Sequence, residues 1–190
     1  MAAALLADRL GRAGLTVQVR SAGVSGDGQG APPEVAAVMA GYGLDVGGHR
    51  SRPVTTSFLR GAALIIGMAR QHVRHAVVTE PDSWPRTFTL KEIVRRGAEF
   101  RARGKGEPLQ DWLAGVHDGR ARAALLGDAA EDDIADPMGG PMRAYVAAAA
   151  EIEHFTRQLA GLCWGVPADM GVPGRQSAAG LAAGGLPGHW

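Results

Sequence analysis

Residues 62–68 read AALIIGM, a continuous run without a charge. A strand that is apolar at every position has both faces covered, as in parallel sheets whose crossover helices lie above and below. The residues downstream fit such a sheet. Residues 70–79 predict a helix that Pro81 stops, RTFTL (86–90) predicts a second strand, and Lys91–Arg103 predicts a further helix ended by Gly104. Upstream, residues 2–13 form a helical pattern with Leu5, Leu6 and Leu10 on one side and Gly14 as its C′ residue. Thr16–Arg20 alternates polar and apolar around Val17 and Val19 and predicts a strand running into Ser21-Ala22-Gly23. Pro32 and Pro33 suit the first turn of the next helix, which carries Val35, Val38, Met39 and Tyr42 and is closed by Gly41 or Gly43. Strands alternating with helices imply an α/β domain with a parallel sheet.

Beyond Gly104 the signal weakens. A helix is expected around Leu109–Leu126, then an acidic turn, then a last helix after Pro141 that runs to about Leu162. That helix is expected to turn Met142, Tyr145, Val146, Ile152, Phe155 and Leu159 toward the core. Residues 1–164 are read as one domain; residues 165–190, with seven glycines, three prolines and no periodicity, are read as a disordered tail.

Composition bounds the function. The 190 residues carry 20 Lys plus Arg against 19 Asp plus Glu, a formal charge of +1. That balance gives no field for wrapping nucleic acid or coating an anionic membrane, so neither is expected as a partner. Cys163 is the single cysteine, which excludes an intrachain disulfide and leaves no zinc-type Cys/His spacing; no metal and no cofactor is expected. The opening MAAALLADRL reaches Asp8 after seven residues, too short an apolar stretch for a signal core, and a cytoplasmic protein is expected.

In doubly wound sheets ligands bind beyond the carboxyl ends of the strands, which directs attention to the loops there. Three stand out: Ser21-Ala22-Gly23, Gly47–Pro53 (GGHRSRP) and Asp132–Pro141 (DDIADPMGGP). Asp136-Pro137 ahead of a helix is a common turn and cap as well as a candidate acid, and Ser21 and His49 could be capping groups. Asp132 and Asp133 read as solvated charges flanking the helix. His72 and His75, three apart, could share a helix face, but a metal site would need a third ligand. Arg50, Arg52, Arg95, Arg96, Arg101 and Arg103 read as solvated faces, the last four alternatively as a local basic patch.

In this order, SAG (21–23), GL (43–44) followed by GHRSRP (48–53), an apolar strand ending at Met68 before a helix with His72, and DP-x-GGP (136–141) ahead of a helix with EIE (151–153) resemble the low molecular weight protein tyrosine phosphatase family. The resemblance spans roughly Met1–Leu162, with about 97–131 read as an insertion. It implies a three-layer, doubly wound parallel sheet of flavodoxin-like type and a thiol phosphatase that hydrolyses phosphotyrosine or aryl phosphate through a cysteinyl-phosphate. Asp136 takes the place of the family's general acid, and Ser21 and His49 the place of the pair that supports the phosphate loop. Met138 stands where the family carries an aromatic residue.

The family's nucleophile and phosphate-binding arginine lie in a C-x5-R loop between the first strand and first helix. Met1–Leu6 resembles the sequence just after that loop, so strand and loop are expected to be absent from this chain, through a late start in the reading of a longer gene. Cys163 cannot replace the nucleophile, since Asp169 stands six positions on where an arginine is required. The implied sheet order 2-1-3-4 loses its second member. Removing one strand from between neighbours spaced about 4.8 Å apart leaves them roughly 9.6 Å apart and unpaired. The chain as given is therefore expected to be inactive. The alternatives are a non-catalytic phosphate-binding regulatory protein and, less favoured with one cysteine, an arsenate reductase on the same scaffold.

Overall fold

The computed structural model describes residues 1–24, 27–127 and 130–170. Its regular elements are α1 (Ala2–Arg12), α2 (Pro33–Ala40), α3 (Thr56–Arg60), β1 (Ile65–Gly67), α4 (Arg70–Thr79), β2 (Thr87–Thr89), α5 (Leu90–Phe100), α6 (Leu109–His117) and α7 (Met142–Trp164). Short 3-10 segments cover Pro81–Arg86 and Arg122–Leu126.

The centre is a β–α–β unit. β1 and β2 pair in parallel, with Ile65 opposite Thr87, Ile66 opposite Phe88 and Gly67 opposite Thr89, and α4 crosses between them. α4 starts so close to β1 that a Cβ on Gly67 would sit 2.9 Å from the His72 Cβ and 3.1 Å from the Ala69 carbonyl, so glycine is required there. β2 passes directly into α5 through a capping box: the Thr89 hydroxyl accepts from the Glu92 N–H at 3.0 Å and the Glu92 carboxylate accepts from the Thr89 N–H. Proline at N1 begins α2, and left-handed glycines follow α1 (Gly14, φ 72°) and end α7 (Gly165, φ 68°).

Two cores result. The larger is built from Leu5, Leu6 and Leu10 of α1, Met39 of α2, Phe88 of β2, Ile93 of α5, Trp112 of α6 and the inner face of α7. The smaller, on the α4 side, joins Val73, Val77, Trp84 and Leu125. Inside the larger core Arg9 donates to Glu153 at 2.9 Å, both side chains being buried, and also to the Met170 carbonyl. That bond helps hold the segment after α7, where Val166 is buried and its N–H bonds the Ala160 carbonyl. Residues 171–190 of the expected tail lie outside the described residues.

Several expectations are corrected. Thr16–Arg20 is not a strand: among the described residues its backbone pairs with no neighbour, and Val17 is exposed. A strand is stabilised by its ladder, and the pattern alone supplies none. Parallel pairing in that region is confined to one bridge, Gly23 to Pro53. For the same reason the apolar run yields a strand of three residues, and Ile65 and Ile66 are half-buried instead of covered on both faces. α5 stops at Phe100, three residues early, because the backbone turns to make other bonds: the Arg101 carbonyl accepts from the Trp112 indole at 2.8 Å, and the Arg103 N–H bonds the Leu162 carbonyl. The helix expected over 109–126 breaks at Gly119, where φ is 72°. Met142 and Val146 face solvent at 46% and 51% exposure.

The segment read as an insertion packs inward. Trp112 is wholly buried, against Gly97 of α5 among others. Trp112→Ala should cost about 3–5 kcal/mol in a urea unfolding measurement; a loss below about 1 kcal/mol would show that α6 is a surface appendage.

Candidate functional site

The carboxyl end of β1 is where the site assembles, because the loop from 132 to 140 is fastened there. The Ile134 N–H donates to the Met68 carbonyl at 2.8 Å, tying the loop to the strand end. One residue earlier, the Asp133 carboxylate accepts from the N–H of Arg70 at 2.7 Å, meeting the positive end of α4, while its carbonyl accepts from Lys91 at 2.6 Å. Lys91 in turn pairs with Glu151 of α7.

Asp132 is the deepest of these anchors. Its carboxylate is buried and accepts from Arg70 at 2.9 Å and Arg95 at 3.1 Å. Burial works against the Arg95 charge, but the hydrogen bond and attraction of Asp132 outweigh it, with Glu99 and Glu92 adding to them, so the guanidinium is held above its ordinary value. Arg70 also donates to the Ala124 carbonyl, which joins the loop to the 3-10 segment after α6. Asp132 and Asp133 are thus fasteners, contrary to their expected place as solvated charges. The sequence signal that could have shown this is an acidic pair directly before Ile134, an isolated apolar residue of the loop, combined with Arg70 directly after a strand.

With its base fixed, the loop presents Asp136 to solvent. Its Oδ1 accepts from the Met138 N–H at 3.0 Å, which closes a turn around Pro137 and leaves Oδ2 without a partner among the described residues. On the far side of the turn the Gly139 N–H donates to the buried Tyr145 hydroxyl at 3.2 Å, and that hydroxyl faces the Met138 sulfur at 3.9 Å. Met138 itself is 65% exposed. A rigid turn carrying one exposed carboxylate oxygen can deliver or accept a proton at a group placed beyond the strand ends.

The other candidates are less drawn together. Ser21 is half-buried and His49 is exposed, and no hydrogen bond joins them among the described residues. His49 lies in a turn closed by its own N–H to the Val46 carbonyl, and Arg50 donates to the Gly47 and His49 carbonyls. His72 is spent on a cap, its Nδ1 accepting from the Ala69 N–H at 3.2 Å. Among the described residues no group of three or more His, Cys, Asp or Glu is placed to hold a metal, and no helix is long and apolar enough to cross a membrane.

Of the arginines of the second half, Arg95 and Arg101 are exposed, as expected of solvated faces, while Arg96 and Arg103 are half-buried, and all four are engaged. Besides Arg95, Arg96 donates to the Val116 and Asp118 carbonyls, Arg101 pairs with Glu107 at 2.6 Å, and Arg103 donates to the Cys163 and Glu107 carbonyls. Cys163 is buried inside the core, and burial, opposed weakly by Arg103, pushes its thiol up to about 12. A nucleophile must be a thiolate, and this one is protonated at neutral pH.

The model of low molecular weight phosphotyrosine protein phosphatases matches residues 1–102. The chain belongs to this family. It is 30% identical over 164 residues to the protein-arginine-phosphatase of Bacillus subtilis strain 168, covering 84% of this chain and 85% of that one. With the probable low molecular weight protein-tyrosine-phosphatase EpsP of Ralstonia solanacearum it is 31% identical over 104 residues, 54% and 72% of the two chains. Among solved structures, the YwlE arginine phosphatase of Geobacillus stearothermophilus superposes with a TM-score of 0.60 at 29% identity, covering 84% and 80%. A cysteine-to-serine mutant of YwlE with a phosphorylated active-site serine gives 0.61 at 28%, covering 84% and 83%. The phosphatase fold is α/β and flavodoxin-like, and in this member it is rich in helix with a small parallel sheet.

Two outcomes check the site. Asp132→Ala should cost about 1.5–3 kcal/mol, since it strips the hydrogen bonds from Arg70 and Arg95, and amide exchange at residues 133–136 should accelerate; unchanged exchange would detach Asp132 from the loop. The native protein should leave Cys163 unreactive to a thiol reagent near neutrality. The raised thiol value makes its share of stability complete below about 9.0, the ordinary value. That share is lost as pH climbs from there toward about 12, where the native thiol itself ionises. Cys163→Ala should flatten that alkaline decline.

Proposed function

We propose that this phosphatase-family scaffold, once completed by a cysteine-bearing phosphate loop, acts on a phosphorylated protein or a small aryl phosphate, with Asp136 as the proton donor to the departing group and Ser21 and His49 as supports for that loop. The observation that carries the reading is the fastened Asp136 turn, whose free Oδ2 stands beyond the end of β1. In the YwlE relative the phosphoryl group sits on a serine that replaces a cysteine. The corresponding chemistry here would need a thiolate in a nest of backbone N–H groups at a helix N-terminus.

The 190 residues contain one cysteine and no C-x5-R. Asp136 cannot supply what is missing: a positioned acid contributes about 10²–10⁴, against the up to ~10²¹ that phosphate monoester hydrolysis requires. We therefore propose that the chain as it stands does not turn over, and that anion binding without catalysis is the activity open to it. A second reading concerns the substrate. Two relatives carry the name protein-arginine-phosphatase, and Met138 presents an unbranched thioether where a tyrosyl ring would want an aromatic partner. Both favour phosphoarginine over phosphotyrosine.

The assay is direct. Recombinant protein of this sequence should release no phenol from an aryl phosphate above background, and any saturable turnover overturns the reading. Joining ahead of Met1 the strand and C-x5-R loop that the family resemblance implies supplies a nucleophile. In that chimera Asp136→Asn should lower kcat by about 10²–10⁴, and a chimera that turns over equally well with asparagine removes Asp136 from the mechanism.

A further inference from the structure

His117 closes α6 and is half-buried. Its ring meets the Trp84 indole edge-on, with centroids 5.4 Å apart at 84°, and its Nδ1 lies 3.0 Å from a terminal nitrogen of Arg120. A guanidinium donates and never accepts. Nδ1 is therefore the acceptor, and the contact exists only while that nitrogen is unprotonated.

Arg120 is the immovable partner. It donates to both Glu92 oxygens at 2.8 and 3.0 Å, to the Thr87 carbonyl at 2.8 Å and to the Trp84 carbonyl at 3.2 Å. Its guanidinium also lies 3.8 Å from the Trp84 ring centroid and 3.9 Å from that of Phe88. Among the described residues the His117 side chain has one hydrogen bond and one ring edge. If the two become like charges, the histidine gives way.

We propose that His117 is a pH-operated latch on the last turn of α6: neutral, it bonds Arg120 and seals the edge of Trp84; protonated, it swings off and opens that side of the smaller core. The surrounding charges set the bias. Burial disfavours the imidazolium first, Arg120 and Arg96 of α5 add to it, and Glu92 and Asp118 oppose without prevailing, so the ring is held below its ordinary value. The 3-10 segment contributes the neutral Trp84 face, its own Arg86 being engaged with the Asp82 and Ala62 carbonyls. A cation at a helix C-terminus is usually favoured, but Arg96 already donates to the Val116 and Asp118 carbonyls there. Because the folded value is lowered, the latch is whole above the ordinary 6.5 and is lost as pH falls through the folded value. Trp84 shares its cluster with Val73, Val77 and Leu125, so unlatching loosens the packing next to α4.

Amide hydrogen exchange of the 190-residue protein at about pH 7.5 and about pH 5.5, corrected for the intrinsic rate, tests this in the wild type and His117→Gln. Residues 113–119 of the wild type should exchange faster by up to about tenfold per pH unit between the ordinary 6.5 and the folded value, and level off below it, α7 should be unaffected, and His117→Gln should show no such dependence. Equal protection at both pH values, or the same acceleration in the variant, overturns the latch. Should the variant not fold, an imidazole titration of the wild type by NMR decides. A midpoint below 6.5 accompanied by movement of the Trp84 indole signal supports the latch, and a midpoint at or above it, or an unmoved indole, overturns it.

Discussion

The Asp132 carboxylate, buried between Arg70 and Arg95, is the contact on which the geometry of the site rests. Taking a carboxylate out of water is costly unless charge and hydrogen bonds replace the solvent. Here two guanidiniums do so from different elements, one at the start of α4 and one on α5. The loop that carries Asp132 is held in register with both, and its neighbours fall into place: Asp133 on the α4 N-terminus, Ile134 on the end of β1. Asp136 owes its position to that fastening, since its own contact with Met138 is local and would form in any Asp-Pro turn.

Arginine serves the same purpose throughout the chain. Aromatic residues make up 5% of the sequence, and the core is correspondingly built from Leu, Ile, Val and Ala around a few large rings. Arg9 ties α1 to α7 and to the segment after it, Arg103 reaches the carbonyl of Cys163, and Arg120 lies between Trp84 and Phe88. A planar guanidinium suits these places because it stacks on rings while donating to several carbonyls at once. The side chains that a net charge of +1 would assign to a solvated surface are in part the internal fasteners of the fold.

The loop holds the Asp136 carboxylate in a fastened turn, while the one cysteine of the sequence lies elsewhere, in the core. Cys163 illustrates the difference between having a thiol and having a thiolate. In the core, with its value pushed up to about 12, it packs as a small apolar residue.

How much of this the chain spelled out depends on the range of each interaction. The bounds of α4, the Gly14 end of α1 and the Asp136-Pro137 turn were legible because each depends on residues within four positions of one another. The family could be recognised from ordered loops for the same reason. Thr16–Arg20 had the right alternation and formed no strand, since a ladder needs a partner that local pattern cannot provide. Asp132 looked like a surface charge, Arg96 and Arg103 like fully solvated side chains, and Met142 and Val146 like core. Those outcomes were decided by which elements meet in space. Sequence alone determines a side chain's charge and its local turn. Burial and pairing belong to contacts between distant positions, such as Arg95 with Asp132, 37 residues apart, and Arg9 with Met170, 161 apart, and these exist only once the chain has folded.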